Sequence, residues 1–126
     1  MRLLSEEWLA ERLRLGSALP VVPGATAVVQ HEVHGDAGPA RYFDDIREGR
    51  LTDSRLGVHP TPHAVIRYQR SVELAMLCGE IDAVSGVISG RITVEGDLNR
   101  LLPLVSVLQT PAAIEVLRQL NAVTSD

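Results

Sequence analysis

Residues 88–102 constrain the fold more than any other stretch, because a helix end, a strand, a tight turn and a helix start follow one another there. Gly90 is expected to end one helix, and Asp97 to cap the next. Between them Ile92 and Val94 alternate with polar residues, which predicts a strand with one buried and one exposed face. Gly96 permits the sharp exit from that strand.

Upstream of this stretch, the sequence predicts one helix followed by several strands. Ser5 is expected to cap the helix, with Glu6 and Glu7 in its first turn. Period-two alternation and turn residues then predict a strand over 26–34, a hairpin of 41–46 and 51–56 closed around 48–49, and a strand over 62–69.

The remaining segments are predicted to be helical. Ser71 and Asp82 are expected to cap two short helices. Apolar residues recur at helical spacing from Leu98 to Leu108, although Pro103 predicts a kink or an early break within that helix. Thr110 followed by Pro111 predicts the start of the last helix. The order of elements predicts an α+β fold with one five-stranded sheet.

Composition limits the function. The chain has 126 residues, which fits one domain over 1–126. Apolar residues make up 45% of it and aromatic residues only 3%, so the interior must be mainly aliphatic. The net charge of -4 and the scattered arginines argue against a nucleic-acid partner.

The location of the protein is expected to be cytoplasmic. Cys78 is the single cysteine, so the chain forms no internal disulfide. The first residues contain no continuous apolar segment, so neither a signal peptide nor a membrane span is predicted.

The histidines and acidic residues do not form a catalytic pattern. His31 and His34 are three residues apart on a predicted strand and therefore lie on opposite faces. His59 and His63, with Asp53 or Asp45, are a weak alternative metal site in a loop. We expect no enzyme activity, no cofactor and no metal, and we expect Cys78 to be a small buried residue.

His31 is the polar exception on an apolar face, because alternation places it beside Val29 and Val33. A buried histidine needs a hydrogen-bond partner.

Three segments carry a resemblance to a known family. They are Ser-Glu-Glu-Trp-Leu at 5–9, Cys-Gly-Glu-Ile-Asp at 78–82 and, most specifically, Ser-Gly-Arg-Ile-Thr-Val-Glu-Gly-Asp-Leu at 89–98. Together, in this order and spacing, they resemble the sterol carrier protein 2 family, and in particular its bacterial single-domain members. The resemblance covers nearly the whole chain.

The resemblance implies a five-stranded, mainly antiparallel sheet covered on one face by helices, with an apolar cavity between sheet and helices. It implies non-catalytic binding and transfer of a sterol, fatty acid or acyl chain. The candidate lining residues are Val84, Ile88, Ile92, Val94, Leu102, Val105, Ile114 and Leu117. Taken one at a time, each of these residues is better explained as core, and only the set as a whole suggests a cavity.

An empty cavity of about 300 Å³ would cost about 7 kcal/mol, which is comparable to the whole stability of a small domain. The helices therefore either collapse onto the sheet or enclose a ligand. The alternative function is an interaction or dimerisation module of a lipid or polyketide pathway, with residues 41–46 as an edge strand for pairing. The expected partner is a hydrophobic small molecule, and transient membrane contact and a homodimer stay open.

Overall fold

The computed structural model describes residues Met1–Asp126, and its elements confirm the predicted α+β order. The elements are α1 (Glu6–Gly16), β1 (Ala27–Gly35), β2 (Gly38–Arg47), β3 (Arg50–Leu56), β4 (Ala64–Gln69), α2 (Arg70–Leu77), α3 (Ala83–Ile88), β5 (Thr93–Gly96), α4 (Leu98–Leu108) and α5 (Pro111–Ala122).

The five strands form one sheet in the order β3-β2-β1-β4-β5. The pairs β1–β2, β2–β3 and β4–β5 are antiparallel, and β1–β4 is parallel. The predicted hairpin is confirmed, since Glu48 and Gly49 form its turn with φ of 50° and 83°.

The prediction that residues 41–46 form an edge strand is wrong. They belong to β2, which lies between β3 and β1 and is hydrogen-bonded on both sides. The edges of the sheet are β3 and β5, because the chain crosses from β3 to the far side of β1 before it forms β4.

Most of the predicted helix caps are confirmed. The side chain of Ser5 accepts a hydrogen bond from the backbone N–H of Trp8 at 3.1 Å. The side chains of three further caps accept from the backbone N–H three residues ahead, namely Asp82, Asp97 and Thr110. Each cap satisfies an N–H that has no partner inside its own helix.

One prediction about a helix boundary is wrong. Helix α2 begins at Arg70 with Gln69 as the residue before it, so Ser71 lies inside the helix and does not cap it. Of the two alternatives predicted at Pro103, a kink or an early break, the early break does not occur, because α4 runs through Pro103 to Leu108. Pro103 is the central residue of this helix, where it removes one internal hydrogen bond without ending the helix.

The helices cover one face of the sheet and form two separate core clusters with it. The larger cluster contains Leu3, Trp8, Leu9, Val33, Tyr42, Tyr68, Val72, Leu77, Ile92 and Leu120. The smaller one contains Ala25, Ala27, Val29, Leu104 and Val107. The half-buried Ile66 on β4 packs against both clusters and therefore lies between them.

Cys78 follows α2 and is exposed, so the prediction of a small buried residue is wrong. No single helix combines the length and the hydropathy of a membrane span, and α4 and α5 meet that test only as a pair bent by 80°.

Candidate functional site

A network of polar side chains lies inside the helix-covered face of the sheet. His31 is buried at 7% exposure, and its Nε2 lies 2.9 Å from Oδ2 of Asp44. The other oxygen of Asp44 accepts hydrogen bonds from Arg12 of α1 and from Ser54 of β3. His31 therefore has the partner that its position on an apolar face required.

The network continues from His31 toward α2. Nδ1 of His31 lies 2.8 Å from the hydroxyl of Tyr68 on β4. The hydroxyls of Tyr68 and Tyr42 both donate to Oε1 of Glu73, at 3.2 Å and 2.7 Å. The ring of His31 also stacks on that of Tyr42, with centroids 4.1 Å apart.

Charge and burial set the protonation of this network. Burial alone would raise the pKa of Asp44, but the charges of Arg12 and His31 and their hydrogen bonds lower it below its usual value. Burial, and then the charge of Glu73, raise the pKa of Tyr42 and of Tyr68 well above the ordinary value. Asp44 is therefore an acceptor, and both hydroxyls keep their protons.

The network links four strands and two helices. It joins α1 and β3 at one end to α2 at the other, through residues of β1, β2 and β4. No fully buried side-chain nitrogen or oxygen lacks a partner. Satisfied buried networks of this kind hold elements in one relative position.

Sequence reasoning identified His31 and missed the other members. The missed signal was their alternation, because Tyr42, Asp44, Ser54 and Tyr68 lie on the same face as His31 in the observed strand register. Asp44 and Asp45 are consecutive on β2 and therefore point to opposite faces of the sheet, and only Asp44 is buried.

Beside the network lies an apolar strip, which we define as Ile66 of β4 and Val94 of β5. The two residues are paired across β4–β5 and face the helices, yet both are only half buried. Leu101 of α4 packs against the smaller core cluster and Leu117 of α5 against the larger one, and both are also half buried. These four side chains therefore pack against the core and still keep some accessible apolar surface.

The helices beyond the strip expose much apolar surface. Six of the ten large apolar side chains that are exposed lie on α3, α4 and α5, namely Val87, Ile88, Leu98, Leu102, Leu108 and Ile114. Exposed apolar surface concentrated on one side of a domain is typical of a binding region.

The structure places the eight predicted lining residues in three environments. Ile92 is buried in the larger core cluster, where it packs against Gly86. The half-buried ones are Val84, Val94, Val105 and Leu117. The exposed ones are Ile88 at 81%, Leu102 at 63% and Ile114 at 57%. Their role in ligand binding stays a prediction.

Helix α4 presents a different face to the sheet than expected. Leu104 and Val107 are buried, whereas Leu102 is mostly exposed. Residues two apart on a helix point in nearly opposite directions, so Leu102 cannot share the inward face of Leu104. Helix α4 is apolar almost all round, and its periodicity therefore did not reveal which side is covered.

Two neighbouring open grooves, of about 280 Å³ and 270 Å³, lie between α1 and α5. They share Arg14, Leu15 and Gln119, so they form one continuous depression with an apolar side chain in common. Arg14 on the rim is paired with Glu11, and Arg118 with Glu115. The depression is separate from the strip on β4 and β5.

The histidines of the weak alternative metal site are engaged by backbone. Nδ1 of His63 accepts the N–H of Val28 at 2.8 Å, and Nδ1 of His59 accepts that of Thr61 at 3.0 Å. No group of three or more His, Cys, Asp or Glu side chains is placed to hold a metal ion.

No protein-family model matches the sequence, and no curated protein matches it. Solved structures do resemble it. A crystal structure of sterol carrier protein 2 has a TM-score of 0.72 at 16% identity, over 94% of this chain and 97% of that chain.

Two further structures have the same architecture. A possible sterol carrier protein from Thermus thermophilus has a TM-score of 0.66 at 17% identity, over 94% of this chain and 89% of that one. The palmitated sterol carrier protein 2 like 2 from Aedes aegypti has a TM-score of 0.66 at 21% identity, over 84% and 96%.

These likenesses cover almost the full length of both chains. They confirm the resemblance at the level of the fold: the chain has the sterol carrier protein 2 fold.

Proposed function

We propose that this protein binds and transfers a hydrophobic small molecule, without covalent chemistry, in the apolar space between the sheet and its C-terminal helices. The observation that carries the proposal is the apolar strip. Ile66 and Val94 face the helices from within the sheet and are only half buried. Protein interiors are close-packed, so a loosely covered apolar floor is suited to receive a ligand.

The fold supports the same function. Of the three similar structures described above, two are named as sterol carrier proteins and one as possibly such a protein, and one of the three is palmitated. For this chain the ligand class is a sterol, a fatty acid or an acyl chain. The polar network offers no open constellation of nucleophile and base, since its side chains bond one another inside the core.

The energetics predict modest affinity. Burial of about eight methylenes contributes about 6 kcal/mol before the cost of association. The exposed side chains on α3, α4 and α5 would gain most from being covered, because Ile88, Leu102 and Ile114 are each more than half exposed. Shape and apolar area would then determine how tightly chains of different length bind.

Native mass spectrometry of the purified protein, followed by solvent extraction, tests the proposal directly. A stoichiometric lipid would support it and identify the ligand class. A bare protein that also fails to bind added fatty acids and sterols would overturn it in favour of an interaction module. Residues 41–46, which were predicted to serve as the edge strand in that alternative, belong to the interior strand β2.

A pair of matched variants locates the site. Val94→Thr makes a residue of the apolar strip polar, and Val58→Thr makes the same change at an apolar residue that is 67% exposed in the β3–β4 connection. Threonine has nearly the shape of valine and is favoured in strands, so both variants should fold. We expect Val94→Thr to weaken fatty-acid binding about tenfold, because it brings a hydroxyl into the apolar site, and Val58→Thr to leave it unchanged. Equal affinities would place the ligand elsewhere.

A further inference from the structure

Only one of the two carboxylate oxygens of Glu73 accepts hydrogen bonds from the protein. Both tyrosine hydroxyls donate to Oε1, from Tyr42 at 2.7 Å and from Tyr68 at 3.2 Å. No side chain or backbone N–H of the protein donates to Oε2. Glu73 is nevertheless only 6% exposed, so one of its two acceptor oxygens lacks a partner although the residue is more than nine-tenths buried.

Oε2 is not sealed inside the protein. No fully buried side-chain oxygen in the structure is without a hydrogen-bond partner, so Oε2 must still reach an opening. An accessible carboxylate oxygen at a poorly exposed residue is free to accept a hydrogen bond from water or from a ligand. A donor arriving from a ligand would satisfy it.

The position of Glu73 relates this oxygen to the apolar strip. Tyr68 lies two residues from Ile66 on β4 and therefore on the same face of the sheet. Ile66 is also the strand partner of His31, whose Nδ1 bonds the Tyr68 hydroxyl. The cluster that holds Glu73 thus borders the strip.

The surroundings of Glu73 favour a ligand group that donates a hydrogen bond over a ligand group that carries a negative charge. The titratable and charged side chains beside Glu73 in the network are Arg12, His31 and Asp44, and both Arg12 and His31 are already paired with Asp44. No basic side chain contacts Glu73, whose partners are both hydroxyls. A ligand carboxylate placed there would meet a like charge in a poorly solvated site.

We propose that Glu73 binds the polar end of the ligand, an inference that rests on the proposed function. The protein then prefers a neutral amphiphile that bears a hydroxyl group. The ligand hydroxyl donates to Oε2 of Glu73 while its apolar body covers Ile66 and Val94. Tyr42 and Tyr68 act as positioning residues, because their hydroxyls hold Oε1 and thereby aim Oε2.

The test compares two uncharged probes of the same size, 1-decanol and nonyl methyl ether. They differ in that only the alcohol donates a hydrogen bond. A plain apolar cavity prefers the ether, since the alcohol loses more hydration on entry. A hydrogen bond to a charged acceptor reverses that order, and we expect the full-length protein to bind decanol about tenfold more tightly in calorimetric titrations.

The variant Glu73→Gln places an amide in the same position. The tyrosine hydroxyls still donate to its oxygen, so a donor NH₂ group replaces the free acceptor. We expect the preference for decanol to disappear in Glu73→Gln. It should persist in Glu80→Gln, which changes an exposed residue just beyond α2.

The outcomes separate this inference from the proposed function. If neither probe binds the unmodified protein, the proposed function fails. If both bind but the ether is equal to or tighter than the alcohol, hydrophobic binding stands and the role of Glu73 is overturned. The comparison in the unmodified protein decides the matter even if Glu73→Gln does not fold.

Discussion

Among isosteric substitutions of side chains on the sheet, Asp44→Asn should destabilise the protein most. Asp44 is 2% exposed and is bonded by Arg12, Ser54 and His31. Removing one member of a buried ion pair costs about 3–5 kcal/mol, because the other charge stays buried without a partner. The side chain of Arg12 keeps 20% exposure, so we expect the lower end, about 3 kcal/mol.

This loss is large enough to measure in two ways. A domain of this length should lose about 10 °C in Tm for a change of about 3 kcal/mol. Urea unfolding followed by the fluorescence of Trp8, which is 1% exposed, gives the free energy of unfolding independently.

The neighbouring residue supplies the control. Asp45 points to the other face and pairs with Arg47 at 3.5 Å, whose side chain is 68% exposed. Asp45→Asn should therefore cost no more than about 0.5 kcal/mol. A loss in Asp44→Asn that is no larger than in Asp45→Asn would refute the reasoning, since the pair with Arg12 would then contribute nothing.

Stability should also fall at both ends of the pH range. The pKa of Asp44 is lower in the folded state, so its contribution is complete above about pH 4 and is lost as the pH falls. The pKa of Tyr42 is raised by folding, so its contribution is complete below about pH 10 and is lost as the pH rises. Urea midpoints at pH 3, 7 and 10.5 measure both effects, and flat midpoints would contradict them. Among the glycines, Gly96→Ala should cost more than Gly57→Ala, although both have φ of +118°. A Cβ at Gly96 would lie 2.6 Å from the carbonyl oxygen of His63, whereas one at Gly57 meets nothing within 4 Å. Thermal unfolding of the two variants would show equal losses if backbone conformation alone mattered.

Local signals in the sequence predicted the elements because each of them depends on neighbours in the chain. Asp97 and Thr110 cap helices through an N–H three residues ahead, and Glu48 with Gly49 closes a hairpin. Each of these interactions joins residues that are at most three positions apart in the chain, so a local sequence pattern can encode it. The α+β class and the number of strands followed from them.

Several of the failures concern contacts that are distant in the chain, whereas the Ser71 cap was a local signal that failed. Residues 41–46 were expected at an edge because alternation says nothing about what pairs on either side of a strand. The exposed position of Leu102 was not visible in the sequence, because α4 is apolar nearly all round. Cys78 was expected to be buried, and its exposure depends on where α2 ends relative to its neighbours.

The sequence by itself determined the order of helices and strands, the caps and turns that bound them, and the need of His31 for a partner. Only the tertiary structure decided that this partner is Asp44 and that Glu73 accepts both tyrosine hydroxyls through one of its oxygens. The physical reason is that Glu73 lies 31 residues from Tyr42, to which it bonds. Such contacts are set by strand order and helix placement, which no local pattern encodes.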